Sequence, residues 1–164
     1  MSTDRRTLLS LGGLAGALAA FGLWPRGPAA RAAKGSFEVE LPETEWKKRL
    51  DPAAFRVLRQ EGTEAPYTSP LNGEHRRGTF LCKGCRLPLF SSATKFDSGT
   101  GWPSFFRPLA SAVGTSTDRT FGMSRTEVHC RRCGGHLGHV FDDGPPPTGK
   151  RYCMNGVAML FRPG

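Results

Sequence analysis

The sequence predicts a mainly β domain, a small antiparallel β-structure with a short helical lead-in. From Gly78 onward, short apolar and β-branched runs alternate with glycine and proline, which is typical of short strands joined by turns. Residues 41–60 form the only stretch with a clear helical pattern. Two Cys-x-x-Cys pairs lie in the β-like part, where a small, loop-rich domain gains stability from a bound metal ion.

The helical lead-in divides into two segments. Thr44 is predicted to cap the first, and Asp51, which is followed by a proline, is a typical N-cap for the second. Phe55 and Leu58 are three residues apart, so they share one face of the second helix. Gly62 is the predicted end of that helix.

Seven runs after the lead-in are predicted to be strands, because each is short, rich in β-formers and bounded by turn residues. They are Thr79–Leu81, Leu87–Phe90, Phe105–Pro108, Thr120–Met123, Glu127–Cys130, His139–Phe141 and Val157–Phe161.

Four of the five cysteines form two Cys-x-x-Cys pairs, Cys82 with Cys85 and Cys130 with Cys133. Each pair has the spacing of half a tetrathiolate zinc site, so together they predict one tetrahedral Zn²⁺ ion. Four thiolates leave no open coordination position, which indicates a structural zinc. Two disulfide bonds are the alternative, because unfilled pairs of this kind oxidise in an oxidising compartment.

A nucleic-acid-binding zinc ribbon is a further alternative for this cysteine pattern. The chain has a net charge of +9, but acidic residues are interleaved with the basic ones. No block of alternating aromatic and basic residues surrounds either cysteine pair. Scattered positive charge favours solubility, so the sequence predicts no nucleic-acid partner.

The N-terminus has the pattern of an export signal. Arg5 and Arg6 precede an uncharged run over residues 8–24, and residues 30–32 read Ala-Arg-Ala, which suits a signal peptidase. An uncleaved membrane anchor is the alternative. Glycine and proline interrupt the run, and its length is near the lower limit for a spanning helix.

The adjacent arginines predict the twin-arginine export route and a periplasmic location. This route carries folded proteins, so the thiols could bind zinc before they reach an oxidising compartment. We expect a signal peptide over residues 1–32, a flexible leader over 33–40 and the functional domain over 41–164.

The fifth cysteine, Cys153, is the candidate nucleophile. Arg151 and Asn155 each lie two residues away, so in a strand they would share its face. An arginine can stabilise a thiolate, and an amide can donate hydrogen bonds to the site. The alternative is that Cys153 is a buried structural residue, but these neighbours favour the nucleophile.

Two histidines and a carboxylate precede the candidate nucleophile at His136, His139 and Asp143. Histidine can lower a thiol pKa or move protons, and a carboxylate can orient the imidazole. The alternatives are that the histidines are extra metal ligands and that Asp143 merely caps a turn.

The segment Ser98–Ser104 contains a Trp-Pro step flanked by glycines. Such a loop can hold the indole of Trp102 as an exposed wall, which would suit a small apolar or sulfur-methyl group. The alternative is a tryptophan in the core.

Seven motifs occur in order between residues 62 and 155, within a matching region that runs from about residue 41 to residue 161, nearly the whole mature protein. They are Gly62–Tyr67, Cys82–Cys85, Pro88–Phe90, Lys95–Phe105, His136–Phe141, Asp143–Pro145 and Arg151–Asn155. Together they resemble the motifs of the type B methionine sulfoxide reductases, which reduce the R epimer of methionine sulfoxide.

The resemblance implies a fold of two antiparallel sheets with zinc held by the two Cys-x-x-Cys pairs. It also implies that Cys153 attacks the sulfoxide sulfur while an acid protonates the departing oxygen. Methionine is released and Cys153 becomes a sulfenic acid. The implied substrate is methionine sulfoxide, in oxidised proteins or free.

The resemblance also implies roles for the neighbouring residues. The residues at positions that activate the thiol and polarise the sulfoxide are Arg151, His136, His139, Asp143 and Asn155. Trp102 is at the position that holds the methyl group. His139 is ranked above His136 as the proton carrier, because residues 140 and 141 place it next to Asp143.

Thr100 departs from the family pattern. Many members carry a second, resolving cysteine at this position in the Gly-x-Gly-Trp loop. With four cysteines assigned to zinc, Cys153 has no obvious partner, so an external thiol must regenerate it. We expect a thioredoxin-like protein or a small thiol as reductant, and a monomeric enzyme.

Two alternatives to an enzyme remain. They are a non-catalytic zinc-stapled β-domain that acts as a binding module, and a secreted binding protein with disulfides.

Overall fold

Two antiparallel sheets form the body of the domain in the computed structural model, which describes residues 36–164. The expected signal peptide, residues 1–32, and the first residues of the expected leader lie outside the described residues. Neither α-helix of the described part is long and apolar enough to cross a membrane.

Two α-helices precede nine strands along residues 36–164. The helices are α1 (Glu43–Arg49) and α2 (Pro52–Gln60). The strands are β1 (Gly78–Cys82), β2 (Pro88–Ser91), β3 (Lys95–Phe96), β4 (Ser104–Phe105), β5 (Val113–Asp118), β6 (Arg125–Cys130), β7 (His136–Phe141), β8 (Arg151–Met154) and β9 (Met159–Pro163). Single 3₁₀ turns cover Pro70–Gly73, Ser92–Thr94, Thr120–Gly122 and Gly156–Ala158.

One sheet has the strand order β2–β1–β9, and the other has the order β3–β4–β8–β7–β6–β5. Neighbouring strands are antiparallel throughout. The predicted fold class, mainly β with two antiparallel sheets and a helical lead-in, is confirmed.

The lead-in differs from the prediction in one cap. The Asp51 carboxylate accepts from the N–H of Ala54 at 2.9 Å and so caps α2 as predicted. Thr44, however, lies inside α1, which starts at Glu43 without a side-chain cap. Pro42 occupies the N-cap position instead, and it has no side-chain oxygen to accept from the first turn.

The strand predictions fail in the region before β6. Thr120–Met123 is not a strand, because the Asp118 carboxylate accepts from the N–H and the hydroxyl of Thr120 at 2.8 and 2.7 Å. These local bonds compete with sheet pairing and favour the 3₁₀ turn. The strand missed in this region is β5, whose exposed Thr115 and Thr117 give it little apolar signal; β3 and β8 were also absent from the seven predicted runs. It pairs with β6 at the edge of the larger sheet.

Aromatic side chains join the two sheets. Phe105 of β4 stacks on Phe90 of β2 with ring centroids 4.3 Å apart, and it meets Phe80 of β1 edge-on at 4.9 Å. All three rings are fully buried. Phe105, a residue of this aromatic core, directly follows Ser104, which lies opposite the candidate nucleophile Cys153.

The described part of the expected leader, residues 36–40, contacts the turn that holds Cys133. The Val39 N–H donates to the carbonyl of Arg132 at 2.9 Å, and the ring of Phe37 meets His129 edge-on at 5.7 Å.

Candidate active site and metal centre

The sulfur atoms of the two Cys-x-x-Cys pairs lie close together. All four, from Cys82, Cys85, Cys130 and Cys133, are within 4.8 Å of one another. Cys82 is 3.7 Å from Cys133, and Cys85 is 3.5 Å from Cys130, sulfur to sulfur. Four thiolates bound tetrahedrally at about 2.3 Å from a zinc ion would lie roughly 3.8 Å apart. The donor set and its spacing therefore fit a metal ion.

The two cysteine pairs lie in matching turns. The N–H of Cys82 donates to the carbonyl five residues later at 2.8 Å, and the N–H of Cys130 does the same at 2.9 Å. The carbonyl of each accepts from the residue four positions later, Arg86 or Gly134. Both of these residues have left-handed backbones, with φ of 64° and 65°. Since Cys82 ends β1 and Cys130 ends β6, the cluster ties one sheet to the other.

Cys153 belongs to a row of residues that crosses the larger sheet. Ser104 of β4 is directly opposite Cys153 of β8, and His139 of β7 is opposite Cys153 on the other side. Glu127 of β6 is in turn opposite His139. Directly opposed residues in antiparallel strands share a face. The sheet thus brings a thiol, an imidazole and a carboxylate onto one face.

A β-bulge brings His136 onto the same side as His139. Residues three apart on a regular strand would face opposite ways. Here Leu137 is an extra residue, because His136 pairs with His129 while Gly138 pairs with the preceding residue, Val128. The two imidazole centroids are 5.4 Å apart as a result.

Gly138 is required where β7 passes β8. A Cβ atom at this position would lie 2.1 Å from the carbonyl oxygen of Cys153. The absence of a side chain therefore lets the histidine strand approach the cysteine strand closely.

Each histidine is held by a carboxylate from a strand further along the sheet. The Nε2 of His139 lies 2.8 Å from the Asp118 carboxylate, and the Nδ1 of His136 lies 2.9 Å from the Glu127 carboxylate. An ionised carboxylate only accepts, so these contacts place a proton on each of the two nitrogens. The nitrogens left without a proton are therefore Nδ1 of His139 and Nε2 of His136, and the latter has no hydrogen-bond partner among the described residues.

The carboxylate that is hydrogen-bonded to His139 is Asp118, not Asp143, which the sequence places next to this histidine. Asp143 accepts instead from Arg151, with Nε and Nη2 at 2.9 and 2.8 Å from its two oxygens. The reason is topological, because Asp143 follows β7 and faces back onto Arg151 at the start of β8. Asp118, at the end of β5, is the residue that reaches His139.

Burial of His139 favours its neutral form. Burial lowers the pKa of His139, the hydrogen bond to Asp118 raises it, and the nearby Arg125 lowers it, with a net lowering. Burial opposes ionisation of Asp118. Hydrogen bonds from Thr120 and His139 and the charge of Arg125 nevertheless hold the pKa of Asp118 well below its usual range.

The thiol of Cys153 is half-buried, and burial raises its pKa. A hydrogen bond with Thr100 and the positive charge of Arg151 oppose this rise. The Oγ1 of Thr100 lies 3.8 Å from the sulfur. Arg151 also lies over the ring of Phe141, 4.4 Å from its centroid, so its position is fixed on two sides.

The loop that carries Trp102 is anchored from outside. The N–H of Tyr67 donates to the carbonyl of Gly101 at 2.7 Å, and its hydroxyl donates to the carbonyl of Gly99. The half-buried Trp102 donates from its indole nitrogen to the carbonyl of Glu64 at 3.2 Å. Trp102 is therefore not a core residue. Thr100, in the same loop, lies beside Cys153.

Asn155 is buried and makes bonds at both ends of its amide. Its oxygen accepts from the N–H of Glu64 at 2.9 Å, and its nitrogen donates to the carbonyl of Leu137 at 3.1 Å. The Glu64 carboxylate continues this link by accepting from the N–H of Val157 at 3.0 Å. Asn155 thus fixes the segment that holds Trp102 against the histidine strand.

Three site residues were missed by sequence reasoning: Asp118, Glu127 and Glu64. Glu127 carried a signal in the sequence, because it is a charged residue inside an otherwise β-forming run. In the structure it is 5% exposed, and a carboxylate so buried needs a partner. Asp118 had no such signal, since it follows a strand that the pattern did not reveal. Glu64 belongs to a quoted motif but had no assigned role.

Comparisons with known proteins identify the family. Residues 50–163 match the model of the SelR domain. The chain is 56% identical over 127 residues to a protein of Pseudomonas putida (strain W619) named "Peptide methionine sulfoxide reductase MsrB". These residues make up 77% of this chain and 96% of that protein. Proteins of the same name from Agrobacterium fabrum and Methanosarcina barkeri are 50% and 53% identical, over 77% and 76% of this chain and 94% and 88% of their own.

The matched region contains the four-cysteine cluster, the Trp102 loop and the row through Cys153. Since the family model and these relatives agree along nearly the whole described domain, the chain belongs to the type B methionine sulfoxide reductase (MsrB) family of enzymes.

Proposed function

We propose that this enzyme reduces the R epimer of methionine sulfoxide through a sulfenic acid on Cys153. The observation that carries the proposal is the row in which Cys153 lies opposite His139, with Arg151 two residues away on the same strand. This arrangement sets a thiol between a neutral base and a fixed positive charge, which is what an activated cysteine nucleophile requires.

His139 first takes the thiol proton on Nδ1, since Asp118 holds the proton on Nε2. The Cys153 thiolate then attacks the sulfoxide sulfur, and the imidazolium returns the proton to the departing oxygen. The sulfur–oxygen bond of the substrate breaks, and the hydroxyl bonds to the Cys153 sulfur as the sulfur–sulfur bond formed in the attack breaks, which leaves a sulfenic acid on Cys153. The substrate sulfur gains two electrons, the Cys153 sulfur loses two, and methionine leaves.

Trp102 is proposed to contact the methyl group of the substrate. Its indole is half-buried, and its loop reaches Cys153 through Thr100 on one side and Ser104 on the other. A polarisable sulfur-methyl group packs favourably against an aromatic ring. The role of Asn155 in this account is to hold the Trp102 segment in place, through Glu64.

Regeneration is proposed to need an external thiol, either a thioredoxin-like protein or a small molecule. The chain has five cysteines, four of which form the metal-binding cluster, and Thr100 stands in the loop beside Cys153. A first thiol would form a mixed disulfide with Cys153 and release water. A second thiol would reduce that disulfide and restore the free cysteine.

The four-cysteine cluster is proposed to hold a structural Zn²⁺ ion. Thiolate donors at tetrahedral spacing favour zinc, and four of them complete its coordination shell. We further propose, from the N-terminal sequence, that residues 1–32 direct export to the periplasm and are removed. A folded, zinc-loaded protein would suit that route.

Turnover of the separated R and S sulfoxide epimers with a dithiol reductant tests the proposed reaction. We expect reduction of the R epimer alone, and no activity in Cys153→Ser with an unchanged zinc content. Equal reduction of both epimers, or an active Cys153→Ser variant, would contradict the proposal. The Cys153→Ser result also separates the enzyme from a binding module on the same fold, whose function would survive the change.

A further inference from the structure

Three hydroxyl groups connect the sulfur of Cys153 to a backbone carbonyl in one unbroken chain. The Oγ1 of Thr100 lies 3.8 Å from Sγ of Cys153 and 2.8 Å from the Oγ of Ser98. The Oγ of Ser98 lies 2.7 Å from the Oγ of Ser104, which donates to the carbonyl of Trp102 at 3.1 Å. Ser104 is fully buried, so this end of the chain is shielded from solvent.

The direction of each hydrogen bond in this chain follows from counting protons. A hydroxyl has one proton, and a carbonyl can only accept, so the proton of Ser104 is used on Trp102. Ser104 must then accept from Ser98, Ser98 must accept from Thr100, and Thr100 must accept from the thiol of Cys153. The order of protons is therefore set by the state of the sulfur.

A thiolate reverses that order. It has no proton to give, so the stable arrangement has Thr100 donating to the sulfur, Ser98 donating to Thr100 and Ser104 donating to Ser98. Only three hydroxyl hydrogens rotate, and no heavier atom needs to move. A hydrogen bond to a charged acceptor is about twice as strong as one between neutral groups, so the reversed chain favours the thiolate.

We propose that Thr100 is a positioning residue that stabilises the Cys153 thiolate, and that Ser98 acts through it, while Ser104, directly opposite Cys153, completes the proton-ordered row of hydroxyls. In this protein, Thr100 thus places a hydrogen-bond donor to the nucleophile at the position of the resolving cysteine. Burial raises the pKa of Cys153, and the hydrogen bond with Thr100 acts against that rise. The three hydroxyl groups oppose the rise in the Cys153 pKa that burial causes, and they do so without adding a charge beside the sulfoxide.

The test is the rate of Cys153 alkylation by iodoacetamide as a function of pH, on the zinc-loaded full chain without sulfoxide. Peptide mass spectrometry restricts the readout to Cys153. Thr100→Val removes the hydroxyl and keeps the shape, and we expect the midpoint of the profile to rise by about one pH unit. Thr100→Ser should restore the original midpoint, and Ser98→Ala should raise it by a smaller amount.

Thr115→Val is the matched control, because Thr115 is exposed on β5, three strands from Cys153 in the sheet order. Its midpoint should equal that of the unmodified enzyme. The proposal is overturned if Thr100→Val leaves the midpoint in place or lowers it, or if Thr100→Ser moves it as far as Thr100→Val. It rests on Cys153 as the reacting thiol, yet alkylation needs no sulfoxide, so its failure is distinct from failure of the proposed reaction.

Discussion

The Nε2 of His139 lies 2.8 Å from the carboxylate of Asp118, although the two residues are on strands that are not neighbours in the sheet. β6 lies between them and supplies Glu127 to the second histidine, His136. The edge strand β5 and its neighbour β6 thus provide the carboxylates that fix both imidazoles. This relationship leads to the first prediction.

Asp118→Asn should lower kcat/KM about 10- to 100-fold, because it removes a charge-assisted hydrogen bond that orients His139. The hydrogen bond to Asp118 raises the pKa of His139, so its loss lowers that pKa further. If neutral His139 is the base, activity rises with pH through this pKa, and that limb should move to lower pH in the variant. The pH profile of kcat/KM measures both effects.

Asp142→Asn is the matched control for that experiment, since Asp142 is exposed and pairs with Lys150. It should leave the profile unchanged. A low-pH limb that stays in place in Asp118→Asn would argue against His139 as the proton carrier.

Arg151→Met should reduce the thiolate fraction of Cys153 at neutral pH. Burial raises the pKa of this thiol and the charge of Arg151 lowers it, so removing the charge raises the pKa further. We expect activity near pH 7 to fall about tenfold or more and to recover partly as the pH is raised. Arg162→Met, at an exposed position of β9, is the control, and a loss independent of pH would contradict the explanation.

Removal of the metal should destabilise the fold more than it alters the nucleophile. The four cysteines join the end of β1 to the end of β6. Protein stripped of metal by a chelator, and the Cys130→Ser variant, should therefore melt at least about 10 °C below the metal-bound enzyme. Cys153→Ser should keep both the zinc content and the melting temperature. Thermal unfolding with zinc analysis of the same samples measures this, and equal melting temperatures with and without metal would exclude a structural role.

Phe105→Leu should lower the free energy of unfolding by about 1–2 kcal/mol, because Phe105 packs on both Phe90 and Phe80 across the two sheets. Phe106→Leu, at the half-buried neighbouring position, should have a smaller effect. Urea denaturation provides the two values. A larger loss from Phe106 than from Phe105 would contradict the assignment of the inter-sheet core.

The parts of the fold with local signals could be predicted from the sequence. Asp51 caps its helix because capping geometry is local. The two Cys-x-x-Cys pairs are distant along the chain, but their convergence could be predicted because each has the spacing of half a zinc site. β5 could not be predicted, since Val113 is its only apolar residue and the other five are small or polar. Without β5 there was no reason to bring Asp118 near His139.

The candidate site shows the same division. Cys153 and Arg151 share a strand, so their proximity followed from spacing two residues apart. Asp143 was expected beside His139 because it is near along the chain, but the chain reverses after β7 and gives Asp143 to Arg151. Asn155 was expected to act on the reacting groups, and the structure shows both ends of its amide bonded to the backbone.

The central claim is that Cys153 carries the oxygen after one turnover and has no partner cysteine within the chain. The most direct test is a single turnover with the R sulfoxide and no reductant, followed by a sulfenic-acid-specific trap and mass spectrometry. We expect one methionine per enzyme and the trap on Cys153 alone. A disulfide between Cys153 and Cys82, Cys85, Cys130 or Cys133 would contradict the claim.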